Sequence, residues 1–186
     1  MSRLAENLGS RHLRAARGRV DPPTGPPSGL VALAGNPRPA SRTLLVARTV
    51  ADQLADRLQL ATPVTLDVAD VAAELFAAGA PEADRYRATL AGAAVAVVAT
   101  PVYKGSYTGL LKAFLDRVPT GGLRGVVAEH LLRPLLVELG AIVPVRPLAI
   151  TEGQLDDLDA EVGAWADEAA PLLGRLVPAP APRASL

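Results

Sequence analysis

One short apolar run, residues 94–99, constrains the fold more than any other part of the sequence. Its residues are small or β-branched, and no polar residue alternates with them. Continuous runs of this kind are typical of strands that are buried on both faces, as in parallel sheets. A loop rich in proline, glycine, serine and threonine follows, and apolar residues then recur at helical spacing over 110–115. This order predicts a strand, a loop at the carboxyl edge and a helix, as in an open α/β sheet.

The residues before this run repeat the same pattern. Strands are predicted over 30–34 and 63–68, and helices over 44–58 and 82–91, with Ser41 as the N-cap of the first helix. The connections are short, and such alternation favours right-handed crossovers. The sequence therefore predicts an α/β fold with a doubly wound parallel sheet.

The pattern breaks after the central helix. Only residues 126–128 are available for a fourth strand before a helical segment begins at 129. Three strand residues span about 10 Å, which is too short to cross a core and still deliver a loop. We therefore expect the fourth strand and its loop to be shortened or missing. The segment 142–150 is predicted as an edge strand that moves inward towards the central strand, and 154–176 as a closing helix.

Three regions of different composition divide the chain. Residues 1–29 are rich in arginine and proline, and we expect a disordered leader, because they offer little apolar surface to offset the entropy of ordering. A targeting peptide and a helix that docks on an anion are the alternatives for this segment. Residues 30–176 form the predicted domain, and 177–186 a frayed tail.

Composition excludes several classes of function. The chain has no cysteine, and its two histidines, His12 and His130, lie far apart, so we expect no metal site. The formal net charge is zero, which gives no indication of a nucleic-acid or anionic-membrane partner. No apolar run is long enough to span a bilayer. We expect a cytoplasmic protein.

The loop after the first strand, residues 35–43, carries groups that suit a phosphate. Arg38 and Arg42 supply guanidinium groups, Ser41 and Thr43 supply hydroxyls, and a helix start adds backbone amides. An ordinary capped turn with surface arginines explains the same residues equally well. The loop matches neither GxGxxG nor a P-loop.

The loop after the central strand suits a flat heteroaromatic ring. Its backbone from Thr100 to Tyr103 is stiffened by Pro101, and Lys104 adds a positive charge. Aromatic residues make up only 3% of the chain, and both of its lysines lie in this central segment. The alternatives are a Tyr103 ring that covers the helix start and a solvated Lys104.

Both loops resemble signatures of a known family. LAGNPRPASRT, residues 33–43, is similar to the phosphate loop of NAD(P)H-dependent FMN reductases, and ATPVYKGSYTG, residues 99–109, resembles their second signature more closely still. The subgroup that it resembles most is the reductase component of two-component alkanesulfonate monooxygenases, over residues 30–176. The resemblance implies a flavodoxin-like fold, FMN at the carboxyl edge, and hydride transfer from NADPH or NADH to flavin N5. Reduced FMN would then leave to serve a monooxygenase.

The resemblance also implies which residues contact FMN, and all of them lie in the two loops. They are Arg38, Ser41 and Thr43 at the phosphate, with Arg42 as a weaker candidate, and Thr100, Pro101, Val102, Tyr103 and Lys104 along the ring. No catalytic side chain is expected, because the cofactor carries the chemistry and the protein supplies alignment. A homo-oligomer, dimer or tetramer, is implied through the helix that begins near Tyr107.

One departure from the family leaves alternatives open. Family members have a full fourth strand and a glycine-rich loop that closes over the flavin, whereas here 125–128 runs directly into 129–130. We therefore expect weak FMN binding or a mobile ring. An FMN-bound quinone, azo or metal-oxyanion reductase and a non-catalytic flavodoxin-like remnant are the alternative functions. The sequence does not distinguish NADH from NADPH.

Overall fold

The computed structural model describes residues 29–121, 123, 125–128 and 132–177. Residues 1–28 of the predicted leader and 178–186 of the predicted tail lie outside this part of the chain. Four strands form one parallel sheet in the order β2-β1-β3-β4. They are β1 (Leu30–Ala34), β2 (Val64–Asp67), β3 (Val95–Ala99) and β4 (Gly125–Ala128). The predicted α/β parallel sheet is confirmed.

Helices cover both faces of this sheet. They are α1 (Arg42–Leu58), α2 (Pro81–Ala91), α3 (Gly109–Leu115), α4 (Arg133–Glu138) and α5 (Leu158–Leu173), with 3₁₀-helices at Val68–Glu74 and Glu152–Gln154. Successive residues of a strand point to opposite faces, so each strand contributes to two cores. Leu30 and Ala32 pack with α1 and α5 around Trp165, whereas Leu33 packs with α2 and α3 around Phe114. The sheet is therefore doubly wound.

The registers of β1 fix where the loops emerge. All five β1 residues are buried, and the strand pairs in parallel with both β2 and β3. Its last residue, Ala34, is opposite Asp67 on one side and Ala99 on the other. The chain segments that follow these three residues consequently leave the sheet at one level, side by side.

The fourth strand is short but present. Gly125–Ala128 pairs in parallel with β3, from Val95 opposite Gly125 to Val98 opposite Ala128. The strand that we expected to be shortened or missing is thus present, with four residues, as many as β2. Residues 129–131, which follow it in sequence, lie outside the described part of the chain.

The expectation of an edge strand over 142–150 that approaches the central strand is wrong. The segment makes one parallel bridge, between Ile142 and Gly125, in which the Val126 amide donates to the Ile142 carbonyl at 2.9 Å. β4 already occupies the free edge of β3, so the segment meets β4 instead. Pro144 and Pro147 lack the amide hydrogens that a ladder needs. Beyond them the chain crosses to the α1 and α5 face.

Some smaller expectations also differ from the structure. Of two neighbouring apolar residues after the first 3₁₀-helix, which the sequence favours as a cover for the core, Leu75 is buried but Phe76 is 85% exposed. The closing helix is shorter than predicted, because residues before Leu158 form a separate 3₁₀-turn and bend. Within the described ranges of the chain, no helix is both long enough and apolar enough to cross a membrane.

Candidate functional site

An open cavity of about 830 Å³ lies at the carboxyl edge of the sheet, over β1 and β3. Three connecting segments line it, together with residues of α1 and β3: the β1 loop (residues 35–41), the β3 loop (residues 100–108) and the segment 148–155 that leads to α5. Ligand pockets for small molecules and cofactors have volumes of roughly 300–1,000 Å³. The cavity is therefore large enough for a nucleotide.

The start of α1 presents free donors to this cavity. Ser41 is the N-cap, with extended backbone angles, and its Oγ accepts from the Leu44 amide at 3.3 Å. The first amides of a helix have no partner within the helix, and the cap satisfies only one of them here. The amides of Arg42 and Thr43 thus remain at the positive end of the helix dipole, where an anion is stabilised.

Two buried polar side chains brace the β1 loop. Asn36 accepts from the Arg38 amide at 2.9 Å, and its Nδ2 donates to Thr43 Oγ1 at 3.0 Å. Asp67, at the end of β2, accepts from the Ala40 amide at 3.2 Å, where the backbone has a φ of 50°. Both side chains are less than a tenth exposed. These hydrogen bonds fix the loop before any ligand arrives.

The β1 and β3 loops are joined at their bases. The Gly35 amide donates to the Ala99 carbonyl at 2.8 Å, and Thr108 Oγ1 donates to the Gly35 carbonyl at 2.5 Å. The same hydroxyl accepts from the Leu111 amide and so caps α3. A Cβ at Gly35 would lie 2.6 Å from the Cβ of Leu111, so the close approach of α3 requires glycine here. The positions of the two loops are consequently linked.

The tip of the β3 loop is a tight hairpin. The Tyr103 amide donates to the Ser106 carbonyl at 2.9 Å, and the Ser106 amide to the Tyr103 carbonyl at 3.1 Å. Lys104 and Gly105 have φ values of 52° and 78°, as in a type I′ turn. Lys104 therefore stands at the exposed tip, and it is not among the residues that line the cavity.

The stem of the β3 loop forms one wall of the cavity. Pro101, Val102 and Tyr103 line it, and the latter two side chains are 55% and 50% exposed. Thr100 also lines it, but its hydroxyl donates to the Pro101 carbonyl at 3.1 Å and accepts from the Thr108 amide at 3.3 Å. Thr100 thus shapes the loop, whereas the other three present a surface to a ligand.

Eight of the nine residues predicted from the sequence come together in this one cavity. They are Arg38, Ser41, Arg42, Thr43, Thr100, Pro101, Val102 and Tyr103; Lys104 is the exception. Their contacts with a nucleotide stay a prediction.

A third wall of the cavity, which the sequence did not predict, lies in the segment 148–155. This wall is formed by Leu148 and Ile150, which we expected in an edge strand, and by Leu155, which we expected in the closing helix. From the same wall, Glu152 forms an ion pair with Arg42, with its Oε1 2.7 Å from the Arg42 Nη1.

One local signal could have located this wall. Thr151 and Gln154 form a capping box, in which the Thr151 amide donates to Gln154 Oε1 at 3.0 Å. A threonine followed three residues later by glutamine is a known mark of a helix start. It indicates that a helical turn begins at 151, between the predicted strand and the predicted closing helix.

Part of the cavity lining is apolar. Val46 and Val50 of α1, Val97 of β3 and Ile150 form this part. The cavity therefore combines anion donors at the start of α1 with apolar walls. A doubly wound parallel sheet with such a cavity at its carboxyl edge is typical of α/β nucleotide-binding proteins.

Comparisons with known proteins identify the family. A family model described as NADPH-dependent FMN reductase matches residues 29–128. The FMN reductase (NADPH) of Pseudomonas aeruginosa is 30% identical over 175 residues, covering 80% of this chain and 94% of that protein. The NADH-dependent FMN reductase SfnE of Pseudomonas putida is 29% identical, with the same coverage. The chain belongs to the NADPH-dependent FMN reductase family, which makes it an NAD(P)H:FMN oxidoreductase with FMN and NADPH or NADH as its nucleotides.

Solved structures agree on the fold. An oxidoreductase from Corynebacterium diphtheriae superposes with a TM-score of 0.62 at 20% identity, covering 81% of this chain and 97% of that one. The apo form of the NADH:FMN oxidoreductase EMOB superposes with a TM-score of 0.56 at 23% identity, covering 79% of this chain and 95% of that one. The flavodoxin-like fold implied by the resemblance is confirmed.

The match to the P. aeruginosa reductase also shows a length difference. The alignment extends over 175 residues. It covers 80% of this 186-residue chain, and that part of the chain contains fewer than 175 residues. The chain therefore carries a net deletion relative to that reductase.

Proposed function

We propose that this chain reduces FMN with NADPH or NADH in the cavity over β1 and β3 and then releases the reduced flavin to a flavin-dependent monooxygenase. The observation that carries the proposal is the convergence of two loops, one with free anion donors and one with a stiff apolar stem, on one cavity. FMN supplies the hydride acceptor when it is bound. The protein supplies binding and alignment.

The phosphate end of FMN is assigned to the start of α1. The amides of Arg42 and Thr43, the hydroxyls of Ser41 and Thr43, and the guanidinium of Arg38 form a set of donors that fits a phosphate dianion. Arg42 is a weaker candidate, because Glu152 already engages its side chain. Hydrogen bonds between a guanidinium group and a phosphate are charge-assisted and therefore stronger than neutral ones.

The ring end of FMN is assigned to the space between the β3 stem and the third wall. Pro101, Val102 and Tyr103 would contact one side of the ring, and Leu155 would exclude water from the other. Thr100 would hold the stem in shape. Lys104 would reach the ring only if its long side chain folded back from the hairpin tip. We assign no residue as a general acid or base, because hydride transfer requires alignment of the two nucleotides.

The monooxygenase partner and a homo-oligomer, dimer or tetramer, are further parts of the proposal. They rest on the resemblance of residues 99–109 to reductase components of two-component systems. Light scattering coupled to gel filtration would measure the oligomeric state. The cytoplasmic localisation stays a prediction.

Steady-state oxidation of NADPH and of NADH, each measured with and without added FMN, tests the proposed activity. We expect added FMN to accelerate oxidation in proportion to enzyme concentration. No acceleration at high enzyme concentration would contradict the proposal. It would favour the non-catalytic alternative, to which the net deletion lends support. Tightly bound FMN in the purified protein would instead favour a reductase that keeps its flavin and passes electrons to a quinone or azo acceptor.

A further inference from the structure

An ion pair spans the mouth of the cavity. Arg42, the first residue of α1, donates from Nη1 to Glu152 Oε1 at 2.7 Å. The two residues are 110 positions apart in sequence, and their side chains are 67% and 88% exposed. The pair therefore joins the proposed phosphate site to the segment that leads to α5.

Both partners stand on fixed backbone. Arg42 directly follows the N-cap Ser41, so the helix start sets its position. Glu152 begins the 3₁₀-turn that the Thr151–Gln154 capping box closes, and its carbonyl accepts from the Leu155 amide at 3.3 Å. The close placement of the two residues is thus a property of the fold and does not depend on a flexible terminus.

The two arginines of the proposed phosphate site differ in whether they form an ion pair. Among the described residues, Arg38 forms no ion pair, whereas Arg42 is held by a carboxylate. Exposed ion pairs contribute little to folding stability, so the pair is easily exchanged. A phosphate dianion offers Arg42 a stronger, bidentate partner than a single carboxylate oxygen.

We propose that Glu152 is a positioning residue that competes with the phosphate of FMN for Arg42. The inference rests on the proposed function of the cavity. The Arg42–Glu152 pair is closed without nucleotide and opens when the phosphate binds. Because coupling is reciprocal, the pair weakens phosphate binding by the same factor by which phosphate weakens the pair. Glu152 thereby lowers the affinity for FMN and speeds release of the reduced flavin, which suits an enzyme that hands flavin to a partner.

The test is the substitution Glu152→Gln, which keeps the shape of the side chain and removes its charge. Dissociation constants for FMN and for riboflavin, which lacks the phosphate, are measured by quenching of flavin fluorescence. We expect FMN to bind about two- to fivefold more tightly than in the wild type, given the modest strength of an exposed pair. Riboflavin affinity should change less than about twofold. The dissociation rate of FMN, measured by stopped flow, should fall by a similar factor to its dissociation constant.

Glu168→Gln is the matched control. Glu168 pairs with Arg146 at 3.0 Å, with side chains 65% and 59% exposed, and neither residue lines the cavity. Its substitution should leave both flavin affinities unchanged. In an Arg42→Gln background, the gain from Glu152→Gln should shrink, because the contested partner is gone.

The outcomes separate this inference from the proposed function. If the wild type prefers FMN over riboflavin but Glu152→Gln leaves FMN affinity unchanged, the inference is wrong and the proposed site stands. An equal gain for both flavins also overturns it, because the effect would not involve the phosphate. If the wild type binds neither flavin, the proposed function fails, and the inference fails with it.

Discussion

The two loops that line the cavity are held in different ways. The β1 loop is braced by buried side chains, Asn36 and Asp67, that accept from its own backbone amides. The β3 loop is held by a hairpin of its own, and its side chains at Val102 and Tyr103 are about half exposed. This difference agrees with the parts of FMN that the two loops are proposed to bind, the phosphate at the β1 loop and the ring at the β3 loop. Donors for a phosphate must be fixed in direction, whereas an apolar flank contacts a ring without directed hydrogen bonds and needs less exact placement of its side chains.

One structural element joins the two loops. Gly35 and Thr108 hydrogen bond across their bases, and Leu111 of α3 packs against Gly35. A change at this junction should affect both loops, whereas a change at either tip should affect one. The four predictions below use this contrast.

The largest effect is expected from Gly35→Val. A Cβ alone would approach the Cβ of Leu111 to 2.6 Å, so the added carbons overpack the junction. We expect a loss of about 3 kcal/mol or more in unfolding free energy, measured by urea denaturation. Gly109→Ala is the control, since nothing lies within 4 Å of its added Cβ and its stability should change by less than about 1 kcal/mol. An unchanged midpoint for Gly35→Val would contradict the close packing of α3.

Thr108→Val should cost about 2 kcal/mol in unfolding free energy. The substitution removes the N-cap of α3 and leaves the Gly35 carbonyl without its donor. Thr108→Ser keeps the hydroxyl and should lose less than half as much. A larger loss for serine than for valine would show that the methyl group of Thr108, not its hydroxyl, stabilises the junction.

Arg38→Gln should weaken FMN binding about tenfold, equivalent to about 1.4 kcal/mol, and leave riboflavin binding unchanged. The estimate is modest because the side chain is exposed to solvent. Lys104→Gln is the comparison in the other loop, and its position at the hairpin tip predicts a change of less than about threefold. A larger loss of FMN affinity in Lys104→Gln than in Arg38→Gln would contradict the assignment of the phosphate to the β1 loop and would favour the β3 loop.

The smallest effect is expected from Gly105→Ala. Its φ of 78° disfavours a side chain, although no atom lies within 4 Å of the added Cβ. The strain should cost about 1 kcal/mol and remain local to the hairpin, with little change in FMN affinity. Limited proteolysis would detect the loosened hairpin, and Gly153→Ala, which is equally open but not at positive φ, is the control. A large loss of FMN affinity would show that the hairpin is as preorganised as the β1 loop.

The first half of the fold could be predicted from the sequence because each element carries its own signal. The apolar runs predict β1 and β3, and Ser41 marks the start of α1. Parallel strands end at one edge, so the sequence also predicted that the loops after β1 and β3 lie together. The site residues in these loops followed from that placement and from the family resemblance.

The second half depends on contacts that are not local. β4 is too short to be predicted as a strand alone, and it forms because the edge of β3 is free to pair with it. The third wall was missed because apolar and β-branched residues over 142–150 resemble a strand, although two prolines interrupt it. The bracing role of Asp67 was missed for another reason: its acceptor function depends on the Ala40 amide, 27 residues away.

The affinity of the wild-type protein for FMN, compared with that for riboflavin, tests the central claim most directly. Phosphate donors at the start of α1 should make FMN bind at least about tenfold more tightly than riboflavin at low salt. That preference should shrink as the salt concentration rises, because salt screens the charges. Equal affinities for the two flavins at low salt would contradict the account.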